Sequence, residues 1–387
     1  MPRLSVDWPA RIGAALQALT PKSSLRQSLA RRWPALFART ESAALSVGRD
    51  LTARSGSARL AQSWLAGAWV TQAISVAARL DLADRLASGP KTSEQLAAEV
   101  GAHAPSLYRL LRMLASLGLF AEDETGRFTT TRFGRCLERD GPDSVHAIAL
   151  MVGSRWHWEA WGQLSHTIMT GESAFQHALG AEPYIYFQQH PEDGRVFSTH
   201  MEAYARQAAV AAASYDFANA QTVVDVGGGY GAVITAVLKA NPMLRGILTD
   251  LPDVIEGARP LLAAAGLAAR CETVPGSFFE GVPAGGDVYL LSSILHNWSD
   301  EEAVSILKTC RRAMTGASRL MVVELMVPTG NTPGDAKLLD LQMMVLFQGG
   351  RERTTDEYRV LLQAGGFRLT RTLQTPNQMH LIEAVPV

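Results

Sequence analysis

The sequence VDVGGGYG at positions 224–231 connects a run of apolar residues to a helical pattern. The apolar run at 222–226 overlaps the start of this segment and predicts a buried strand. Residues 232–240, which follow the segment, predict a helix. Glycines at such a junction let the backbone turn tightly and approach a ligand without obstruction by a Cβ atom. The segment therefore predicts the first strand, loop and helix of a nucleoside-binding α/β sheet.

Strands and helices continue to alternate downstream of this loop. The predicted elements are strands at 245–249, 287–291 and 319–324, helices at 252–265 and 300–314, and a terminal antiparallel pair at 367–373 and 378–385 around Pro376. Alternation of this kind indicates a doubly wound α/β sheet.

Asp250 follows the second predicted strand, where a carboxylate can accept hydrogen bonds from both hydroxyls of a ribose. The glycine loop alone also fits a nicotinamide-dependent oxidoreductase. However, Asp225 directly precedes the glycines, where it is poorly placed beside a pyrophosphate and can bind a ligand ammonium or order the loop. This pattern favours S-adenosylmethionine (SAM) over a dinucleotide.

The chain upstream of the loop is mainly helical. A capping box at Thr92 starts one predicted helix, a second follows from Pro105, and residues 119–131 predict a hairpin. Together they form a winged helix-turn-helix pattern, which leaves a DNA-binding regulator as an alternative. Because acidic residues neutralise much of the arginine in this region, packing or dimerisation is favoured.

Residues 145–215 are rich in aromatic side chains and histidine. Many of these side chains are expected in the core. The same concentration of flat rings also suits the wall of a pocket for an aromatic or elongated apolar ligand.

Four further motifs occur in a characteristic order. They are DLPDVI at 250–255, GSFF at 276–279, LHNWSD at 295–300 and GGRERT at 349–354. With the glycine loop, they resemble the class I SAM-dependent O-methyltransferases of the plant caffeate/flavonoid, acetylserotonin and bacterial natural-product type. The resemblance covers about residues 60–387. It implies a Rossmann-like SAM methyltransferase domain, an N-terminal, mainly helical, winged-helix-like dimerisation domain, and a homodimer.

The resemblance also implies a catalytic group. His296 matches the general base of the family, and an imidazole can take a proton from a hydroxyl near neutral pH. Glu324 and Glu352 match carboxylates that flank and orient this histidine. No metal ion is expected to take part.

The same resemblance, together with the glycine motif and the aromatic-rich segment that contains Trp156, indicates which residues bind SAM and which hold the methyl acceptor. The expected SAM-binding residues are Asp225, Gly227, Gly229, Asp250, Leu251, Ser277, Phe278, Ser292 and Trp298. The expected acceptor-binding residues are Trp156, Phe197, Met201, Asn297 and Met344. Three positions depart from the family pattern: Asn297 and Ser277 replace frequent aspartates, and Ser292 replaces a frequent lysine.

The expected function is SAM-dependent methyl transfer to a hydroxyl of a small aromatic or polyketide-like molecule. Three alternatives remain open at this point. A hydroxylated carotenoid could be the acceptor, Asn297 could mark a SAM-binding relative with decarboxylase or hydroxylase activity, and the chain could be a ligand-sensing winged-helix regulator.

The composition of the 387-residue chain, with 47% hydrophobic and 19% charged residues, excludes wholesale disorder. The net charge of −1 conceals an asymmetry, because ten basic and three acidic residues precede position 60. The rest of the chain is thus acidic at −8, which disfavours binding to nucleic acid.

The predicted divisions are a basic extension at 1–57, the dimerisation domain at 58–165, and a helical substrate-pocket segment with the catalytic domain at 166–387.

Three separated cysteines without a Cys-x-x-Cys pair suit a reducing cytoplasm. No membrane insertion is expected, although the extension could associate weakly with a membrane surface.

Overall fold

The structure of the protein is a computed structural model that describes residues 57–141, 143–375 and 377–387. All of the predicted basic extension except its last residue lies outside the described residues, as does Pro376 of the predicted terminal turn. Two units are distinguished, with the division after Ala68. The described part of the first unit contains helix α1 (Ser57–Leu65).

Short helices and a small sheet occupy residues 67–137. They are α2 (Gly67–Arg79), α3 (Leu82–Ala87), β1 (Lys91–Thr92), α4 (Ser93–Val100), α5 (Ala104–Ser116), β2 (Phe120–Glu122), β3 (Arg127–Thr130) and a 3-10 turn at Gly134–Leu137. The strands pair antiparallel in the order β1-β3-β2. The predicted helix pair and hairpin are therefore present, and β1 adds a third strand.

The capping box predicted at Thr92 explains where α4 begins. The Thr92 hydroxyl accepts a hydrogen bond from the Gln95 backbone N–H at 3.3 Å, and the Gln95 side chain accepts one from the Thr92 N–H at 2.9 Å. The extended backbone that capping requires also lets Thr92 pair with Arg127 in the sheet. One residue thus ends a strand and starts a helix.

Six helices form the aromatic-rich segment. They are α6 (His146–Val152), α7 (Arg155–Gly162), α8 (Leu164–Thr170), α9 (Ala174–Leu179), α10 (Pro183–Gln189) and α11 (Pro191–Ala213). Within the described part of the chain, no helix combines the length and the apolar character needed to cross a membrane.

The C-terminal half contains one large sheet with helices on both faces. Its elements are β4 (Thr222–Val226), α12 (Ala232–Ala240), β5 (Arg245–Asp250), α13 (Pro252–Ala264), β6 (Cys271–Pro275), β7 (Val288–Ser292), a 3-10 turn at Leu295–Asn297, α14 (Asp300–Ala313), β8 (Arg319–Glu324), α15 (Asp335–Leu346), α16 (Thr355–Ala364), β9 (Phe367–Gln374) and β10 (His380–Pro386). The strand order is β6-β5-β4-β7-β8-β10-β9.

The first five strands of this sheet run parallel, and β10 pairs antiparallel with both β8 and β9. Successive side chains of β7 enter alternate cores: Val288 and Leu290 pack on one face of the sheet, and Tyr289 and Leu291 on the other. This is the period of two that a buried strand requires. The doubly wound α/β fold class is confirmed.

Strand β6 is absent from the predicted elements. It is the edge strand next to β5, and Glu272 and Pro275 in its sequence CETVP are exposed. An edge strand needs few apolar side chains, so its pattern resembles that of a loop.

Candidate functional site

The predicted site residues gather at one edge of the large sheet. The strands β4, β5, β7 and β8 end at Val226, Asp250, Ser292 and Glu324. β4 lies between β5 and β7, so the chain departs in opposite directions on its two sides. Ligands of doubly wound sheets bind in the crevice at such a switch point, outside the carboxyl ends of the strands.

The glycine loop after β4 is held by its neighbour β5. The Gly227 N–H donates to the Thr249 carbonyl at 2.8 Å, and the Gly229 N–H donates to Asp250 Oδ2 at 2.8 Å. Gly227 has a φ of +67°, and a Cβ atom there would lie 2.7 Å from Cδ1 of Ile294 and 3.1 Å from the Phe278 ring. Backbone conformation and close packing both require glycine at this position.

Asp225 lies beneath this loop, fully buried. A Cβ atom on Gly228 would lie 2.5 Å from Asp225 Cγ. Neither carboxyl oxygen has a hydrogen-bond partner among the described residues. Burial, followed by the charge of Asp250, raises the pKa of Asp225 to about 7. The loop is therefore ordered by Thr249 and Asp250, whereas the Asp225 oxygens are left for another donor.

The Asp250 carboxylate joins the glycine loop to the start of α13. Its second oxygen accepts a hydrogen bond from the Leu251 N–H at 2.7 Å. Burial raises the pKa of Asp250. The Leu251 side chain is 55% exposed, so it is free to pack against a bound ligand.

Aromatic side chains from two other loops lie near the glycine loop. Trp298 contacts Phe278 and Phe279 edge to face, with ring centroids 6.1 and 4.8 Å apart. The Ser277 hydroxyl accepts a hydrogen bond from the Phe279 N–H at 3.3 Å, while Ser292 is the last residue of β7. Flat rings beside Gly227 suit an adenine base.

His296 and Glu352 form a buried pair. Nδ1 of His296 lies 2.6 Å from Oε1 of Glu352, and both side chains are almost inaccessible to solvent. Burial opposes protonation of the ring, but the charge and hydrogen bond of Glu352 outweigh it and raise the pKa of His296. Burial likewise raises the pKa of Glu352. With Nδ1 engaged, Nε2 is the ring nitrogen left to act on a ligand.

Glu324 contacts the backbone near His296, and the structure shows no hydrogen bond from it to the ring. Its Oε1 accepts from the N–H groups of Ile294, Leu295 and His296 at 3.1, 2.7 and 3.3 Å. The Tyr358 hydroxyl donates to its other oxygen. The resemblance implies that two carboxylates orient the imidazole. In the structure Glu352 forms the hydrogen bond to the ring, and Glu324 bonds to the backbone of the turn that carries it.

Arg353 is a buried residue of this site that was not predicted. Its guanidinium donates to the carbonyls of Leu295 and Trp298 at 2.9 and 3.0 Å and forms an ion pair with Asp300. It thus fixes both ends of the turn around His296. The signal in the sequence was the GGRERT motif, but spacing cannot tell which of its two arginines points inward.

The predicted acceptor residues lie on several elements. Phe197 and Met201 are one turn apart on α11, Met344 is half-buried on α15, and the Asn297 amide donates to the Ser293 carbonyl at 3.2 Å. Trp156 is 1% exposed within a core of aromatic rings that includes Phe197. Trp156 therefore packs against the other rings inside the core, and its contact with an acceptor stays a prediction.

Four polar side chains near this aromatic core were not among the predicted site residues: His157, His200, Tyr204 and Gln342. His157 and Tyr204 belong to the aromatic-rich segment that was predicted as a pocket wall. The pattern that could have revealed two of them is helical spacing, since His200 and Tyr204 share a face of α11 with Phe197 and Met201.

The groups at this edge of the sheet match the parts of SAM. Asp225 supplies buried oxygens without a donor, Gly227 leaves a cradle that any Cβ would fill, and Asp250 carries a carboxylate at the strand end. An amino acid moiety, a ribose and an adenine require this combination of groups. The residues present fit SAM.

Comparison with known proteins agrees with this geometry. A family profile described as the O-methyltransferase domain matches residues 161–368, and one described as the O-methyltransferase dimerisation domain matches residues 63–140. A phenazine O-methyltransferase of Lysobacter antibioticus is 45% identical over 84% of this chain and 94% of that protein. A mitomycin biosynthesis 6-O-methyltransferase of Streptomyces lavendulae is 40% identical over 83% and 92%.

A solved structure shows the same fold with ligands. The O-methyltransferase of neocarzinostatin biosynthesis, in complex with SAM and 2-hydroxy-5-methyl naphthoic acid, matches with a TM-score of 0.71. It is 32% identical and covers 82% of this chain and 96% of its own. The predicted family and cofactor are confirmed. The chain belongs to the SAM-dependent O-methyltransferase family.

Proposed function

We propose that this enzyme methylates a hydroxyl group on a small polycyclic aromatic molecule, with His296 as the general base, and that it acts as a homodimer. The observation that carries the proposal is the buried His296–Glu352 pair beside the glycine loop. The dimerisation profile over residues 63–140 supports the homodimer.

The proposed chemistry uses few groups of the chain. When bound, SAM supplies an electrophilic methyl group. Nε2 of His296 accepts the proton of the acceptor hydroxyl, so that its oxygen becomes a stronger nucleophile. Glu352 stabilises the resulting imidazolium through Nδ1. Walls of aromatic side chains exclude water and hold the acceptor oxygen in line with the methyl group. This positioning supplies much of the rate enhancement in such sites.

Two observations support an aromatic acceptor. The core around Trp156 brings together Phe175, Phe187 and Phe197, with centroids 5.0 to 6.4 Å from the Trp156 ring. Of the relatives compared above, one is named a phenazine O-methyltransferase, one is named for mitomycin biosynthesis, and one holds a naphthoic acid. Flat fused rings match a pocket with such walls.

A screen of hydroxylated acceptors tests this proposal. The purified protein is incubated with SAM and hydroxyphenazines, naphthols, simple phenols or hydroxylated carotenoids, and the products are analysed for a mass gain of one methyl group. Methylation of the fused-ring phenols is expected, with none of the same rings lacking hydroxyls. Methylation of carotenoids alone would contradict the aromatic acceptor.

The pH dependence of the reaction should report the His296–Glu352 pair. Protonated His296 cannot act as a base, and its pKa lies above the ordinary value of 6.5. We therefore expect kcat to rise with pH through an inflection above 6.5. In Glu352→Gln the raising charge is lost while burial remains, so the inflection should move to lower pH as the maximum rate falls. Glu301→Gln, on the exposed start of α14, is the control. An unchanged inflection in Glu352→Gln would contradict the pairing.

Substitution of Gly227 should weaken SAM binding selectively. In Gly227→Ala the new Cβ must displace Ile294 and the Phe278 ring, both at the crevice. We expect SAM affinity, measured by calorimetry, to fall by about tenfold or more. A tenfold loss corresponds to about 1.4 kcal/mol of binding free energy. Gly266→Ala has a similar positive φ and open space around it, so it should incur the same backbone strain without affecting SAM. Equal SAM affinity in the two variants would contradict the assignment of Gly227.

A further inference from the structure

The aromatic part of the acceptor region contains a buried polar cluster that methyl transfer to a simple phenol does not use. Oε1 of Gln342, on α15, accepts hydrogen bonds from His157 Nε2 at 3.0 Å and from Trp161 Nε1 at 2.6 Å. An indole N–H can only donate, so the amide oxygen is the atom that faces Trp161 and His157. The Gln342 NH2 group is thereby directed elsewhere, and it has no partner among the described residues.

Two further polar groups on α11, His200 and Tyr204, lie near His157 and near the catalytic pair, respectively. Burial, followed by the proximity of His157, lowers the pKa of His200 to about 4, and Nδ1 of His200 has no partner in the described part of the chain. The ring of Tyr204 lies one turn further along α11, with its centroid 6.3 Å from that of His200. Burial and then the charge of Glu352 raise the pKa of Tyr204.

The Tyr204 hydroxyl is buried beside the hydroxyl of Ser293, and neither has a hydrogen-bond partner of good geometry among the described residues. His200 and Tyr204 share the face of α11 that carries Phe197 and Met201. Tyr204 is thus a neighbour of Glu352, His200 is a neighbour of Tyr204 and of His157, and His157 bonds to Gln342. Buried donors without partners are costly unless a ligand satisfies them.

We infer that this enzyme recognises an acceptor with a second oxygen, a carbonyl or carboxylate on the same ring system, which accepts hydrogen bonds from the Gln342 amide and the Tyr204 hydroxyl. The inference rests on the proposed function, because it assumes that the hydroxyl to be methylated lies at His296. A donor pair of this kind rejects an analogue that lacks the oxygen more strongly than apolar walls can.

Binding measurements test the inference without requiring turnover. Calorimetry with enzyme saturated with S-adenosylhomocysteine would compare 2-naphthol with isomers of hydroxynaphthoic acid and with hydroxynaphthoquinones, which separate carboxylate from carbonyl recognition. At least one oxygen-bearing isomer is expected to bind about tenfold or more tightly than naphthol. The absence of any such preference in the wild-type enzyme would overturn the inference.

Two variants identify the donors. Gln342→Glu keeps an oxygen for Trp161 and His157, whose N–H groups favour the charged carboxylate, but replaces the NH2 donor. It should lose the preference while naphthol affinity changes less than about threefold. Tyr204→Phe should lose part of the preference for the oxygen-bearing compounds. The control is Tyr186→Phe, which should keep the preference; the hydroxyl of Tyr186 donates to Asp193. Equal loss of affinity for naphthol and the acids in Gln342→Glu would mean a structural role and contradict the inference.

The two hypotheses fail in different ways. A binding preference without methyl transfer to any of these compounds would contradict the proposed reaction and leave the recognition of a second oxygen standing. Methyl transfer at equal efficiency to naphthol and to the acids would contradict only the inference.

Discussion

Replacement of His296 by alanine is expected to lower kcat by about 10²- to 10⁴-fold, the range by which a positioned general base accelerates a reaction. The ring is buried, Nδ1 is held by Glu352, and the removed atoms include Nε2, the proposed proton acceptor. SAM affinity should stay within about twofold, since none of the hydrogen bonds of the glycine loop involves this side chain. Discontinuous assays of S-adenosylhomocysteine formation measure kcat, and calorimetry with SAM measures the affinity.

The matched control is His103→Ala. His103 lies at the N-terminus of α5, where its ring contacts the Ser106 hydroxyl at 2.9 Å, far along the chain from the crevice. This variant should keep wild-type kcat and SAM affinity. Full activity in His296→Ala would contradict the general-base assignment, and joint loss of activity and SAM binding would show that the substitution disrupts the crevice.

Removal of the Glu324 carboxylate is expected to be the most destabilising change at the site. Glu324→Ala leaves three buried N–H groups and the Tyr358 hydroxyl without their acceptor. Breaking one side of a buried charged network costs about 3–5 kcal/mol. We expect a loss of this size in the free energy of unfolding, measured by urea titration, and a fall in kcat because the turn that carries His296 loosens.

The conservative variant Glu324→Gln separates a backbone role from a role in orienting the ring. Its amide oxygen can still accept from the three N–H groups, so most of the stability should remain. The pH inflection of kcat should move less than in Glu352→Gln, because Glu352 acts on the imidazole through its charge and a hydrogen bond, and Glu324 through its charge. A larger shift in Glu324→Gln would contradict this division of roles. Stability equal to wild type in Glu324→Ala would contradict the bonding network.

Much of this architecture was predictable from local patterns. The strand 222–226, the helix 232–240 and the strand 319–324 were predicted with the bounds that the structure shows. Buried parallel strands are continuous apolar runs, and capping residues such as Thr92 act on their own helix. The family resemblance also implied that Glu324 and Glu352 lie beside His296.

Other features depended on contacts between distant segments. The edge strand β6 has too few apolar residues for its pattern to differ from a loop. The orientation of Glu324 toward backbone N–H groups could not be read from its position at a strand end, where it could equally have faced the His296 ring. The buried position of Asp225 beneath Gly228 likewise depends on how the loop packs against β5.

The sequence determined the fold class and the glycine loop, because both are specified by residues that are adjacent or regularly spaced along the chain. It indicated His296 as the base through the family resemblance. Only the tertiary structure decided which side chains meet in the proposed acceptor region. Gln342 reaches His157 across 185 positions, and Glu352 reaches His296 across 56. Hydrogen bonds of this range are selected by the packing of α15 and the GGRERT segment against the rest of the fold. No local pattern encodes them, because a side chain's partner is set by the helices that surround it.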